Sequence, residues 1–235
     1  MEDIEAIAAL QDPVRRRLYE YVVAQGREVG RNEAAEAAGV TRTLAAHHLD
    51  KLTEAGLLES GSRRLTGRSG PGAGRPAKVY TRARTERSVS LPARDYRTAA
   101  ELLAEAAEQA GLDAGLCAAA RRRGEDLRGT DRPCGSLAEA LAVLATRGYE
   151  PRIEGGEGAR QVEGDAATAG VETPVIRMRN CPFHVVAERF PPLVCGMNLA
   201  LLEGLLGSGG PVRARMDARP GECCVVIESS KNNAH

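Results

Sequence analysis

Residues 40–58 of the chain read VTRTLAAHHLDKLTEAGLL, a stretch that has the pattern of a capped helix. Thr41 is a residue type whose side chain accepts hydrogen bonds from the free N–H groups at the start of a helix. Apolar residues then recur at intervals of three and four positions, which is the period of an amphipathic helix. The pattern predicts a helix that runs to about Ala55.

Two further helices are predicted before this one. Residues 12–25 open with Asp12 and Pro13, which are residue types favoured at a helix cap and at the first helical position. Residues 31–38 form a shorter predicted helix that ends at Gly39. A helix, a glycine-containing turn and a second helix make up the helix-turn-helix motif, whose second helix enters the major groove of DNA.

The predicted third helix presents two different faces on a helical wheel. The face expected to pack on the preceding helices carries Leu44, His48, Leu49 and Leu52. The outward face carries mostly short side chains and one imidazole, at Thr43, Ala46, His47 and Asp50, with Arg42 and Lys51 at its edges. Short side chains allow close approach to a major groove, whereas an ordinary solvated face is the alternative for this helix taken alone. His48 is expected to be a buried, hydrogen-bonded histidine.

A basic wing is predicted to follow the third helix. Gly56–Ser60 and Ala77–Arg82 have strand patterns, and Gly61–Pro76 between them is a loop rich in glycine and arginine. Residues 61–94 contain nine Lys or Arg residues and one acidic residue, a balance that favours contact with DNA phosphates or a minor groove. The predicted DNA-contacting residues are Arg42, Thr43, Ala46, His47, Lys51, Arg63, Arg64, Arg68 and Arg75.

The first 85 residues resemble a known class of DNA-binding protein. The stretch at 40–58, followed by GRPAKVY at 74–80, is similar to the winged-helix repressors of the ArsR and DeoR type. The resemblance implies a third helix that enters the major groove, and a homodimer that binds a palindromic operator in double-stranded DNA.

Composition limits the class of protein further. The chain has 235 residues, enough for two modest domains, and its hydrophobic residues include few aromatics, so its cores are expected to consist of Ala, Leu and Val. No stretch approaches the roughly 20 consecutive apolar residues of a membrane span. The N-terminal MEDIEAIAAL is acidic, whereas a signal peptide begins with basic residues. We therefore expect a cytoplasmic protein with no membrane partner.

The remaining sequence predicts an α+β protein in three parts. Residues 95–123 are rich in Ala and Leu with an apolar stripe, and such a helix between domains commonly dimerises. Helix and strand patterns alternate beyond it, including predicted strands at 149–153, 172–179, 212–216 and 223–228. The predicted domains are a winged helix-turn-helix at 1–90, a dimerisation helix at 91–130 and an α+β sensor domain at 131–235.

Six cysteines are the main chemical feature of the chain, at Cys117, Cys134, Cys181, Cys195, Cys223 and Cys224. In a reducing compartment they are expected to be thiols, metal ligands or redox groups rather than disulfides. Four of them lie beyond residue 180, which assigns any chemical role to the C-terminal region. Cys117 and Cys134 are interpreted as small buried hydrophobes. Closely spaced C-x-x-C pairs are absent, which disfavours a structural zinc site.

The cysteine-bearing segments carry a second resemblance. NCPFHVVAERFPPLVCGMNLALLEGLLG at 180–207 and RPGECCVVI at 219–227 are similar to the sensor half of the SufR family, repressors of iron–sulfur-cluster assembly genes. The resemblance implies a [4Fe–4S] cluster whose candidate ligands are Cys181, Cys195, Cys223 and Cys224. The family pattern has four spaced cysteines, and this chain has none near Gly209 and Gly210, where the third is expected.

The identity of the fourth ligand stays open at this point. His184 follows Cys181 by three residues, and an imidazole can complete a set of thiolate ligands. Cys223 and Cys224 lie in a predicted strand, where successive side chains point to opposite faces, so only one of them is expected to reach a cluster. Cys223 is favoured because it shares a strand face with Val225 and Ile227.

Other functions are weighed against this one. The same fold is compatible with a repressor that is switched by thiol oxidation or by a small ligand. An enzyme is disfavoured, because the sequence has no Ser/His/Asp arrangement and no glycine loop of the phosphate-binding kind. We therefore expect a repressor and redox sensor, and not a catalyst.

Overall fold

The computed structural model describes residues 2–63, 76–155 and 173–230, and the chain divides into two compact units, 1–94 and 95–235. In its described part, the first unit contains four α-helices, a short 3-10 helix at Ala9–Gln11 and a three-stranded antiparallel sheet in the order β1-β3-β2. Its elements are α1 (Glu2–Ala8), α2 (Pro13–Gln25), β1 (Val29–Gly30), α3 (Arg31–Ala38), α4 (Arg42–Glu54), β2 (Leu58–Arg63) and β3 (Ala77–Arg82).

The predicted helix-turn-helix is confirmed in its boundaries and caps. The Asp12 carboxylate accepts hydrogen bonds from the N–H groups of Val14 and Arg15, both at 2.9 Å, so it caps α2. Gly39 adopts a φ of +67° between α3 and α4, a left-handed conformation that favours glycine. The Thr41 hydroxyl accepts a hydrogen bond from the Leu44 N–H at 3.3 Å and caps α4.

Two sequence-based expectations in this unit are wrong in detail. Leu44 was expected to face inward, but its side chain is 40% exposed and Ala45 is fully buried instead. Strand β2 begins at Leu58 and continues to Arg63, so the first residues of the predicted loop at 61–76 belong to the strand. Each of these three residues pairs with β3, whose bounds agree with the prediction.

The second unit contains five α-helices and a four-stranded antiparallel sheet in the order β4-β5-β7-β6 within the described residues. Its elements are α5 (Tyr96–Gln109), α6 (Asp113–Arg128), α7 (Leu137–Ala145), β4 (Pro151–Glu154), β5 (Val175–Met178), α8 (His184–Ala187), α9 (Pro191–Leu206), β6 (Val212–Met216) and β7 (Val225–Ser229). Mixed helix and strand content agrees with the expected α+β class.

The predicted helical segment at 95–123 consists of two helices. Gly111, with a φ of +64°, lies between α5 and α6 and allows the chain to turn. The predicted dimerisation segment at 91–130 is therefore not one separate element, since α5 and α6 belong to the same unit as residues 131–235.

Helices α6 and α9 cross at two glycines in the core of the second unit. A Cβ atom added to Gly124 would lie 2.2 Å from the Leu201 carbonyl oxygen, and one added to Gly204 would lie 2.2 Å from the Arg121 carbonyl oxygen. The absence of side chains at these positions lets the two backbones touch. Helix α9 is thereby held in place, and it carries one of the cysteines discussed below.

A membrane-spanning helix is not found in the described ranges, because no helix there combines the required length and apolar character.

Candidate functional site

The outward face of α4 carries the side chains predicted to meet DNA. Arg42, Thr43, His47 and Lys51 are exposed, and Ala46 is half-buried. The Lys51 ammonium lies 2.7 Å from the Glu54 carboxylate, an exposed pair whose stabilising effect is small. The face has the mixture of short, polar and cationic side chains that a major groove accepts.

His48 is the inward histidine that the sequence predicted. Its side chain is buried, and its Nδ1 accepts a hydrogen bond from Arg15 Nε at 3.4 Å. Burial lowers the pKa of His48 because it disfavours the charged imidazolium. His48 therefore stabilises the packing of α4 on α2 and does not reach the DNA-facing side.

Leu44 is an outward residue that the sequence reasoning missed. Its exposed side chain follows Thr43 at the N-terminal end of α4, the end of a recognition helix that meets base edges. An apolar side chain in this position suits the C5-methyl group of thymine. The capping pattern could have indicated this exposure, because a cap at Thr41 places Leu44 in the first turn of the helix.

The wing is described only in part. Arg63 ends β2 with a side chain that is 64% exposed, and its Nη1 lies 3.4 Å from Glu28 Oε2. Arg64, Arg68 and Arg75 lie outside the described residues.

Asp50 connects the recognition helix to the wing. Its carboxylate accepts hydrogen bonds from the Tyr80 hydroxyl at 2.7 Å and from Lys78 Nζ at 2.8 Å, both on β3. Arg31 Nη2 on α3 donates to the same group at 3.2 Å. These contacts fix the position of α4 relative to β3. The sequence did not reveal this role.

Four cysteines of the second unit come together from three segments of the chain. Cys181 follows β5, Cys195 lies in the first half of α9, and Cys223 and Cys224 lie in the turn just before β7. The Cys223 N–H donates to the Met178 carbonyl oxygen at 2.9 Å, which holds this turn against the end of β5. Cys181, Cys195, Cys223 and Cys224, which we call the cysteine cluster, are the four thiols that the sequence selected.

The thiols of the cysteine cluster are close enough to influence one another's ionisation, Cys181 and Cys224 acting on Cys223, and Cys195 acting on Cys224. The Cys223 sulfur also accepts a hydrogen bond from Asn198 Nδ2 at 3.4 Å. The thiols of Cys181 and Cys224 lower the pKa of Cys223 to about 3 because they donate to its thiolate form. The same contacts, together with burial, raise the pKa of both donors.

The expectation that Cys223 and Cys224 occupy one strand is wrong. Strand β7 begins at Val225, so both cysteines lie in the preceding turn, where the alternation of side chains along a strand does not apply. The strand argument against two ligands from this pair therefore does not apply, and which of the two thiols binds a cluster stays a prediction.

His184, the candidate fourth ligand, is exposed and has its imidazole beside Glu188. Its imidazole Nε2 lies 3.2 Å from Glu188 Oε1, and the side chain is 61% exposed. Its backbone N–H donates to the Cys181 carbonyl oxygen at 3.0 Å, which caps the turn rather than presenting the ring. With four thiols present, an imidazole is not required to complete a ligand set.

The other two cysteines lie elsewhere. Cys134 is buried beside Leu206, whose carbonyl oxygen accepts its N–H at 2.9 Å, and burial raises the pKa of its thiol. Cys117 lies on α6, and its sulfur is 3.7 Å from the position of a Cβ added to Gly196.

The donor set of the cysteine cluster suits a [4Fe–4S] cluster, because four thiolates are its usual protein ligands. Within the described ranges, no three His, Cys, Asp or Glu side chains already have the arrangement of a metal-ion site. The four thiols would therefore have to rearrange to surround a cluster. The chemistry of the donors fits the group.

A buried arginine anchors the turn that carries two of these thiols. The Arg177 side chain is 2% exposed, and its Nη2 lies 2.6 Å from Asp217 Oδ2 while its Nε lies 2.8 Å from Glu154 Oε2. Asp217 in turn donates its N–H to the Cys224 carbonyl oxygen at 2.8 Å. A buried guanidinium requires such partners, so these contacts fix the turn against β5.

Comparison with known protein families gives a match in the first unit. Residues 10–61 match the family described as a helix-turn-helix domain. No curated protein and no solved structure matches the chain. The match runs from just before α2 into β2 and supports the resemblance to transcription regulators of the ArsR type. With its N-terminal helix-turn-helix domain, the chain is a DNA-binding transcription regulator.

Proposed function

We propose that this regulator is a repressor that senses iron–sulfur status through a [4Fe–4S] cluster and controls genes of iron–sulfur-cluster assembly. The observation that carries the proposal is the convergence of Cys181, Cys195, Cys223 and Cys224 in the unit that follows the DNA-binding unit. The similarity of their two segments to the SufR family supports the nature of the cluster and of the regulated genes.

Each part of the cysteine cluster has a task in this proposal. The four thiols supply the ligands, and Cys223 is the thiol most ready to ionise. A bound cluster supplies sensitivity to oxygen and to iron supply. The ligands are held by α9, by the segment that follows β5 and by the turn that precedes β7, and β5 and β7 are the central strands of the sheet. Movement of the ligands would therefore act directly on the core of the second unit.

A homodimer on a palindromic operator is the second part of the proposal. Helix α5 has no buried residue, and its exposed apolar face includes Tyr96, Leu102 and Leu103, which are 74%, 61% and 72% exposed. An apolar face of this kind is unfavourable in water and is covered when a second copy packs against it. Two recognition helices related by a two-fold axis match two operator half-sites.

The switch requires only a modest coupling energy. A cluster that binds the DNA-competent dimer better than the other form by about 1–3 kcal/mol shifts operator affinity about 5- to 150-fold. We expect the cluster-loaded dimer to be the form that represses.

The test is a series of single serine substitutions in protein purified without oxygen. Cys181→Ser and Cys195→Ser should abolish the visible absorption of the cluster and weaken operator binding, because serine is a poor ligand for the cluster iron. Cys117→Ser and Cys134→Ser are the matched controls and should do neither. Equal iron content in Cys181→Ser and unsubstituted protein contradicts the proposal.

A second candidate function follows from the contacts between the thiols themselves. Neighbouring thiols can be oxidised by a peroxide to a disulfide, in which two thiols lose two protons and two electrons and the peroxide is reduced to water. A repressor switched in this way needs no metal. Peptide mass mapping after mild peroxide treatment should then show a disulfide within the cysteine cluster, with a matching loss of DNA binding in iron-free protein.

Neither candidate includes turnover of a substrate, and we propose no catalytic role for the chain.

A further inference from the structure

A buried chain of polar groups ends at the sulfur of Cys223. Tyr149, which lies just before β4, is 4% exposed, and Asn198 on α9 is fully buried. The Tyr149 hydroxyl donates to Asn198 Oδ1 at 2.5 Å, and Asn198 Nδ2 donates to Cys223 Sγ at 3.4 Å. Groups that are 49 and 25 residues apart in sequence are thereby connected.

The order of donors and acceptors in this chain is fixed. Burial raises the pKa of Tyr149, so its hydroxyl keeps its proton and can donate. The Asn198 carbonyl oxygen can only accept, which makes it the partner of the hydroxyl. The amide orientation that results directs the Nδ2 protons towards the sulfur and not away from it.

Packing alone does not account for Asn198. Leu202 and Leu205 lie on the same side of α9 as Asn198 by the helical period, and both are buried. A leucine at 198 would continue this apolar side without a polar group to satisfy. A buried amide is tolerated only when it is hydrogen-bonded, and one of its two side-chain partners is the Cys223 sulfur.

We propose that Asn198, oriented by Tyr149, is a positioning residue that donates an N–H···S hydrogen bond to the Cys223 ligand and raises the reduction potential of the bound [4Fe–4S] cluster. Reduction adds negative charge to the cluster and its sulfurs, and an N–H donor stabilises the more negative state. The inference rests on the proposed function, since it assigns a role to residues around the same cluster.

The experiment on the cluster-loaded protein is a redox titration of Asn198→Leu. Loss of the donor should lower the midpoint potential by about 59 mV, which corresponds to about a tenfold change in a one-electron equilibrium. Leu202→Ala, a fully buried position on the same helix with no polar side chain, is the control for lost packing and should leave the potential unchanged. An unchanged potential in Asn198→Leu, or an equal shift in the control, overturns the proposal.

A milder variant decides the question if Asn198→Leu does not load a cluster. Tyr149→Phe keeps the amide but removes the hydroxyl that orients it, so the potential should fall in the same direction by a smaller amount. A potential equal to that of the unsubstituted protein overturns the role of Tyr149 and, with it, the oriented donor.

A second measurement uses the cluster-free protein, so that it separates this inference from the proposed function. In the NMR spectrum, the Asn198 side-chain amide protons should shift when Cys223 is replaced by Ala and stay unchanged when Cys134 is replaced by Ala. If unsubstituted protein binds no cluster, the proposed function fails while the amide still reports the contact. If the chemical shifts of the Asn198 amide protons are unchanged in Cys223→Ala, the inference itself is overturned.

Discussion

Asp50 shows how one residue on the recognition helix can position another element. Its carboxylate is bonded to Tyr80 and Lys78 on β3 and to Arg31 on α3, while it sits among the outward residues of α4. Partial burial opposes ionisation of Asp50, but the hydrogen bonds of Lys78 and Tyr80 outweigh it and lower its pKa from 3.8. The charged carboxylate is therefore the stabilising form.

The first prediction follows from the sign of this shift. A carboxylate whose pKa is lower in the folded state stabilises the fold above its unfolded pKa, and the effect is lost as the pH falls through the folded pKa. Asp50→Asn should therefore lower the free energy of unfolding by about 1 kcal/mol at pH 7, a figure reduced for the partial exposure of the carboxylate. The difference should vanish in strong acid.

Urea unfolding of the two proteins at several pH values measures this difference. Glu20→Gln, at an exposed position on α2, is the control and should change the unfolding free energy little at any pH. A loss in Asp50→Asn that is as large in acid as at pH 7 would show that the charge is not responsible.

Single residues also mark the limit of what the sequence could predict. A helical wheel ranks Leu44 above Ala45 for burial because it weighs hydrophobicity, whereas the close approach of α4 to its neighbours leaves room for the smaller side chain. The location of Cys223 and Cys224 in a turn, rather than in a strand, was missed for a different reason. It depends on the residue at which β7 begins, and strand boundaries are the least certain part of a sequence-based prediction.

At the scale of elements, the α6–α9 crossing shapes the second unit. Gly204 approaches the backbone of α6 so closely that an added Cβ would overlap a carbonyl oxygen and lie 3.0 Å from the Glu125 nitrogen. Backbone atoms cannot move aside as a flexible side chain can. The helices would have to separate to admit a methyl group, and α9 also carries Cys195 and Asn198.

Gly204→Ala should consequently destabilise the protein by about 1–3 kcal/mol, the usual effect of overpacking a core. Gly115→Ala on α6 is the matched control, because a Cβ there meets nothing within 4 Å and alanine is the better helix former by about 1 kcal/mol. In chemical denaturation, the free energy of unfolding should be lower for Gly204→Ala than for the unsubstituted protein. For Gly115→Ala it should be equal or higher. Equal stability of the two variants would contradict the close crossing.

Elements with strong local signals were predictable, and those set by tertiary contacts were not. Helix α2 has an aspartate cap and a proline, and the predicted and observed bounds agree. Strands β3 and β6 also agree with their predicted bounds. A helical segment was predicted at 95–123, but the pattern did not show that α6 continues to Arg128 against α9.

At the scale of the whole molecule, the exposed face of α5 predicts the oligomeric state. Ala104 and Ala107 of this helix pack against Phe190 and its neighbours, so α5 is already anchored, while Leu102 and Leu103 stay largely exposed. In the proposed function, a second copy of the chain covers this face.

Leu102→Asp should therefore give monomers in sedimentation or light scattering, because a charge in a dimer core loses its hydration without gaining a partner. Ala118→Asp, which adds the same charge at an exposed position of α6, is the control and should remain dimeric. A Leu102→Asp protein that stays dimeric would place the interface on another surface.

The central claim is that cluster occupancy controls DNA binding, and one measurement tests it most directly. Protein purified without oxygen is analysed for iron and sulfide, and its affinity for DNA upstream of iron–sulfur assembly genes is measured before and after removal of the cluster. We predict about four irons and four sulfides per chain and an affinity about 5- to 150-fold higher in the loaded protein. Iron-free protein, or equal affinity of the loaded and cluster-free forms, would contradict the account.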